Sequence, residues 1–158
     1  MGKETEKIKH AFPSLRYDAD FQITSKATPQ YNCIAWAMQY TDRWMWPHSA
    51  ATADLDGVCF WPDGVEKCED VNAFIEAFQQ KGYSICDNGD YEEGYRKIAL
   101  YVKPGTTVCT HAARQLRSGK WTSKLGNGED IQHGTALTIE GSAYGQLHCY
   151  MKKVVDYT

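Results

Sequence analysis

The pattern of apolar and polar residues divides the chain into a helical first part and a strand-rich second part. Residues 33–40 are apolar on nearly all sides, which predicts a short buried helix that begins at Cys33. A second helix is predicted between Asp70, a suitable N-cap, and Gly82, a suitable end. Its buried face would consist of the apolar residues at helical spacing, namely Val71, Phe74, Ile75 and Phe78.

Alternation of apolar and polar residues predicts an antiparallel sheet in the second part. The main predicted strands cover about residues 97–103, 107–116, 120–125 and 146–154, and a further short strand is predicted at residues 83–86. The turns between the first three strands are short enough for hairpins, so these strands would form a meander. Helices followed by an antiparallel sheet predict an α+β fold in which N-terminal helices pack on a C-terminal β-sheet.

The length of the chain predicts a single domain, and its charge argues against nucleic acid and membrane partners. A chain of 158 residues suits a single domain, in which we distinguish an irregular approach segment (1–29), a helical part (30–95) and a β-sheet part (96–158). The net charge of −3, with no run of Lys or Arg, predicts neither a nucleic acid nor a membrane partner. The charged N-terminus leads into no apolar segment, which favours a cytoplasmic location and leaves signal-less export open.

Cys33 and His111 are the candidate catalytic pair. Cys33 lies where an irregular loop becomes a buried helix, and the positive end of a helix dipole favours the thiolate. His111 lies near the start of a predicted strand, from which an imidazole beside the thiol would take its proton. The pair predicts a cysteine hydrolase, amidase or deamidase that acts on an amide or related acyl bond and needs no metal or cofactor.

Two residues, Ser123 and Asp130, are candidates for orienting the imidazole of His111. If Leu116 pairs with Lys120 across the predicted hairpin, Ser123 lies on the same face as the histidine. A register shift of one residue would put Lys124 there instead. We favour Asp130, in the segment after this strand, because a carboxylate stabilises the imidazolium that forms during catalysis.

Four further residues are candidates for binding the substrate. Asn32 and Gln30 would supply an oxyanion donor, although Asn32 is equally suited to capping the helix. Trp44 and Trp61 lie in two aromatic loops that would wall a cleft. The favoured interpretation of the loops is that they pack the middle of the chain onto its body.

The order of a helix-start cysteine followed by a strand histidine resembles the papain-like superfamily, in particular its NlpC/P60-type peptidases and amidases. This resemblance implies a papain-like fold and an acyl-enzyme on Cys33, with His111 as base and then acid. It also implies a peptide, protein or peptidoglycan-type substrate. The strings YNCIAWA, THAARQL and WTSKLG resemble, in addition, a family of small bacterial proteins to which no activity is attached.

A catalytically silent module with the same papain-like fold is the alternative from another functional class. Such a module would act in binding, as an immunity-like protein or as an adaptor. Ser123 and Lys124 are not the usual third residue of the superfamily, and this departure suits the alternative. Placement of Cys33 and His111 on opposite faces of the domain would exclude the hydrolase.

Overall fold

A seven-stranded antiparallel sheet organises the computed structural model, which describes residues 2–47, 59–125, 128–141 and 144–155. The strands are β1 (Gln22–Ser25), β2 (Trp44–Met45), β3 (Cys59–Phe60), β4 (Ser84–Cys86), β5 (Tyr95–Val102), β6 (Cys109–Gln115), β7 (Trp121–Lys124), β8 (Asp130–His133) and β9 (Gln146–Val154). Their order in the sheet is β1-β8-β7-β6-β5-β9-β4, and β2 and β3 form a separate parallel pair.

Helices cover both faces of this sheet. They are α1 (Gly2–Ala11), α2 (Cys33–Ala37) and α3 (Val71–Gln79), with 3-10 helices at Pro13–Tyr17 and Ala136–Ile139. The α2 face of the sheet packs against α2 and α3 through residues such as Phe74, Leu100 and Ala112. The α1 face packs against α1 and the 3-10 helices through residues such as Phe12 and Tyr101. The central strand β5 is therefore buried on both sides from Lys97 onward.

The predicted papain-like α+β fold, with N-terminal helices packed on a C-terminal sheet, is wrong. In the described residues the structure is dominated by the sheet, and its helices are few and have at most ten residues. Helices do not form a layer of their own, because α1 lies on one face and α2 and α3 lie on the other. The sheet also extends beyond the predicted β-sheet part, since its two edge strands are β1, in the approach segment, and β4, in the predicted helical part.

The main elements were predicted well, including the short helix α2 and the short strand β4, whereas β1 and β8 at one edge of the sheet were not. The structure confirms α3 with Asp70 as its N-cap, and strands β5, β6, β7 and β9 close to their predicted ranges. The approach segment 1–29 is not irregular, because it holds α1, a 3-10 helix and β1. Strand β8 was also missed, since four residues carry too little alternation to be recognised without their neighbours. No helix in the described part of the chain is long and apolar enough to cross a membrane.

Candidate functional site

Asn32 fixes the start of α2 and so positions Cys33, the first residue of that helix. Its side-chain oxygen accepts hydrogen bonds from the backbone amides of Ala35 and Met45, each at 3.1 Å. Its side-chain nitrogen donates to the carbonyl of Met45 at 3.0 Å. The expected N-cap role of Asn32 is confirmed, and the same amide group ties α2 to β2.

The Cys33 thiol is buried against β6. The residue is 6% exposed, and burial raises the pKa of the thiol to about 11. The backbone N–H of Ala112 and the charge of Lys124 act in the opposite direction and do not overcome burial. At neutral pH the thiol is therefore protonated, whereas a catalytic cysteine needs a lowered pKa.

His111 points to the other face of the sheet. It pairs directly with Tyr101 across β5 and β6, and the ring centroids of these two residues lie 5.3 Å apart. Its ring stacks on Tyr144 with 3.9 Å between centroids and 9° between planes. The next residue, Ala112, shares a hydrophobic cluster with Cys33 on the α2 face. Because successive side chains of a strand alternate between faces, Cys33 and His111 lie on opposite sides of the sheet.

A β-bulge in β6 changes the predicted facing of Cys109. Strict alternation predicts that Cys109, Ala113 and Gln115 share the face of His111. The pairing of β6 with β5 shifts by one residue between His111 and Cys109. Cys109 therefore joins the cluster of the α2 face with Cys33, while Ala113 lies on the α1 face as predicted.

The ring of His111 contacts Ser123 and not Asp130. The amide of Leu116 donates to the carbonyl of Lys120 at 2.7 Å, as the predicted hairpin requires. The Nε2 atom of His111 lies 3.0 Å from the Ser123 hydroxyl, and that hydroxyl lies 2.8 Å from Nε2 of His133. Three buried polar side chains of β6, β7 and β8 thus form one chain of hydrogen bonds on the α1 face.

A family model matches most of the chain. The model described as Domain of unknown function (DUF7689) matches residues 22–152. The chain belongs to the DUF7689 family. No curated protein and no solved structure matches it. The matched range begins with β1 and ends within β9, so it includes both candidate residues and leaves α1 outside.

In this DUF7689 domain, Asp130 belongs to a polar cluster on the α2 face that the sequence analysis missed. Its Oδ2 atom accepts a hydrogen bond from the Tyr31 hydroxyl at 2.7 Å. The buried ammonium group of Lys124 donates to the carbonyls of Thr28 at 2.8 Å and of Gly128 at 2.6 Å. These contacts hold the loop that leads to Cys33 onto β7 and β8. An inward-facing lysine within a strand was the signal that could have identified the cluster.

The remaining candidate residues of the DUF7689 domain have structural contacts. Gln30 is exposed, and the structure gives its backbone amide a hydrogen bond within the same loop. The indole N–H of Trp44 donates to the carbonyl of Pro29. The Trp61 ring packs edge-on against Phe74 of α3 with centroids 5.1 Å apart. For Trp61 this contact agrees with the favoured interpretation that the aromatic loops pack the middle of the chain onto its body.

The cysteines of the domain carry no cross-links where their side chains are described. Cys33, Cys68, Cys86, Cys109 and Cys149 are all free thiols. Within the described ranges, no group of three or more His, Cys, Asp or Glu side chains is placed to hold a metal ion.

Proposed function

We propose that this DUF7689 chain is a non-catalytic binding module for a peptide or protein, rather than a cysteine hydrolase. The observation that carries the proposal is the separation of Cys33 and His111 by the sheet. A general base must come within hydrogen-bond reach of the group it deprotonates, directly or through one water. A thiol on the α2 face and an imidazole stacked under Tyr144 on the α1 face do not meet this requirement.

The surroundings of Cys33 support a structural role for the start of α2. Asn32 is used in capping this helix and in fixing Met45. Lys124, Tyr31 and Asp130 hold the preceding loop in place. A buried, protonated thiol among such contacts behaves as a small apolar side chain. This arrangement favours a rigid scaffold over a reactive centre.

The surface that we assign to the partner is the pair formed by Trp36 and Arg114 on the α2 face. Trp36 is held in place by stacking on Tyr31, with centroids 5.4 Å apart, and by a 3.1 Å hydrogen bond to the Thr122 hydroxyl. The Arg114 guanidinium lies 4.5 Å from the centroid of the Trp36 ring. Both side chains are only partly buried. Trp and Arg dominate binding energy at many interfaces, and the fork of Arg fits a carboxylate. The partner we propose therefore presents an Asp or Glu side chain.

The first test measures the reactivity of Cys33. Its alkylation by iodoacetamide at pH 7.5, followed by peptide mass spectrometry, should be at least about tenfold slower than that of the less buried Cys68 in the same sample, because the reactive thiolate is suppressed by burial. Unfolding in urea should equalise the two rates. Faster labelling of Cys33 than of Cys68 at neutral pH would overturn the proposal and restore the hydrolase.

The second test selects ligands from a displayed library of random peptides. We expect the selected peptides to contain Asp or Glu, and Arg114→Ala to weaken their binding at least roughly 30-fold, the threshold of an interface hot spot. Arg114→Lys should recover only part of the affinity, since an ammonium group cannot make the bidentate contact. Cys33→Ser should leave binding unchanged. Failure of the library to yield a ligand, or indifference of a ligand to Arg114→Ala, would contradict the assigned surface.

A further inference from the structure

His111, Ser123 and His133 form a chain of hydrogen bonds. Which atom donates in each bond can be worked out from the contact between His133 and the carbonyl of Thr135, because a carbonyl oxygen only accepts. Nδ1 of His133 lies 2.7 Å from the carbonyl oxygen of Thr135, which can only accept. This nitrogen therefore carries a proton. In the neutral ring the other nitrogen, Nε2, is then an acceptor, and it takes the hydroxyl proton of Ser123 at 2.8 Å.

At the other end of this hydrogen-bond chain, Nδ1 of His111 carries a lone pair and no proton. Ser123 has used its only proton on His133, so its oxygen accepts from the Nε2–H of His111 at 3.0 Å. A neutral His111 then has no proton on Nδ1. This atom is buried and has no hydrogen-bond partner among the described residues. The network is therefore complete only when both imidazoles are neutral.

No anionic group is bonded to His111, within the described residues, to compensate a positive charge. The titratable groups around it are Tyr101 from β5, Tyr144 from the segment before β9, and His133 from β8. Ile8 of helix α1 and Phe12, which follows that helix, contribute apolar side chains to this face. Two carboxylates act on these neighbours of His111, since Asp18 favours the charged form of His133 and Glu140 acts on Tyr101. Cys109 contacts the backbone carbonyl of His111 rather than its ring.

We propose that the chain of His111, Ser123 and His133 is an acid-sensitive switch, in which proton uptake by His111 ends its stacking under Tyr144 and opens the α1 face of the sheet to water. A proton on Nδ1 would have no acceptor in the closed form. A proton on Nε2 of His133 would direct two N–H groups at the Ser123 oxygen and displace its hydroxyl proton. Opening relieves both conflicts because water then supplies the acceptors.

The direction of the pH dependence follows from the two forms of His111. Burial and the neighbouring His133 hold the pKa of His111 well below its usual range in the closed form. In the open form the ring would titrate near its ordinary pKa of ~6.5. The open form therefore binds more protons, and opening becomes more favourable as the pH falls through this value.

Hydrogen exchange tests the switch in the intact chain. Between pH 7.5 and pH 5, after correction for intrinsic rates, opening at the amides of Ser123 and Tyr144 should increase roughly 30-fold, the factor by which acid favours an exposed imidazole of ordinary pKa. Amides of α3, which report unfolding of the whole fold, should keep a higher free energy of opening than those of Ser123 and Tyr144 at both pH values. His10→Gln, which removes an exposed histidine of α1, should behave as the parent. Equal free energies of opening at α3 and at these two amides at pH 5 would show global unfolding and overturn the local switch.

A titration-silent variant and a tautomer measurement complete the test. His111→Gln keeps an N–H donor for Ser123 and cannot take up the proton. The increase in opening between pH 7.5 and pH 5 should therefore be lost at the amides of Ser123 and Tyr144. Long-range nitrogen NMR on the parent protein should find the Nε2–H tautomer for His111 and the Nδ1–H tautomer for His133. An Nδ1–H tautomer of His111, or its titration near pH 6.5 in the closed form, would overturn the proposal even if the variant did not fold.

Discussion

Replacing Lys124 by alanine should lower the free energy of unfolding by about 3–5 kcal/mol, the cost of removing one partner from a buried charged network. The ammonium group is buried between β7 and the loop before α2, where it donates to the carbonyls of Thr28 and Gly128. Without it, the carbonyl of Thr28 loses the lysine donor and the carbonyl of Gly128 keeps only the backbone amide of Thr28 at 3.3 Å. The buried carboxylate of Asp130 loses a neighbouring positive charge as well. Urea unfolding at pH 7 measures the loss.

A second lysine provides the control for this prediction. Lys120 forms an ion pair of 3.3 Å with Asp20, and both side chains are 43% exposed. Lys120→Ala should cost less than about 1 kcal/mol because water screens exposed ion pairs. Lys124→Met, which keeps most of the side-chain volume, should remain nearly as unstable as Lys124→Ala. Recovery of the parent stability in Lys124→Met would mean that the volume of Lys124 matters and its charge does not.

The sequence predicted the elements whose spacing of apolar residues, caps and turns all lie within one short stretch of chain. Helix α3 has apolar residues at helical spacing and Asp70 as its cap. Strands β5, β6, β7 and β9 alternate over several residues, and a short turn fixes the β6–β7 register. Residue spacing and turn length are properties of one stretch of chain, so no knowledge of distant contacts was needed.

The prediction of a Cys33–His111 site was not supported, because it depends on contacts between segments that are distant in sequence. Alternation states which residues of β6 share a face, but not which face α2 will cover. The structure places α2 over Ala112, so the neighbouring His111 faces away from Cys33. The bulge near Cys109 likewise depends on how β6 meets β5. The edge strand β1 is four residues long and is defined by its pairing with β8. Long-range pairing decided all of these features.

Acid should destabilise the whole fold through His133, independently of local opening around His111. Burial lowers the pKa of His133 from an ordinary value of 6.5 to about 4. The unfolded chain therefore binds this proton at a higher pH than the folded chain does. The contribution is fully present above pH 6.5 and is lost as the pH falls towards 4. The difference between the two pKa values corresponds to a loss of roughly 3 kcal/mol in the free energy of unfolding.

The number of protons taken up on unfolding separates His133 from the carboxylates that also titrate in acid. Urea unfolding of the parent between pH 6.5 and pH 4.5 should show a steeper fall in stability than His133→Gln, by close to one proton, because glutamine cannot be charged. His10→Gln removes a histidine exposed in the folded state and should keep the slope of the parent. Equal slopes in the parent and His133→Gln would show that the buried imidazole is already charged in the fold. The hydrogen bond between Nε2 of His133 and Ser123 would then run in the opposite direction, with the ring as donor.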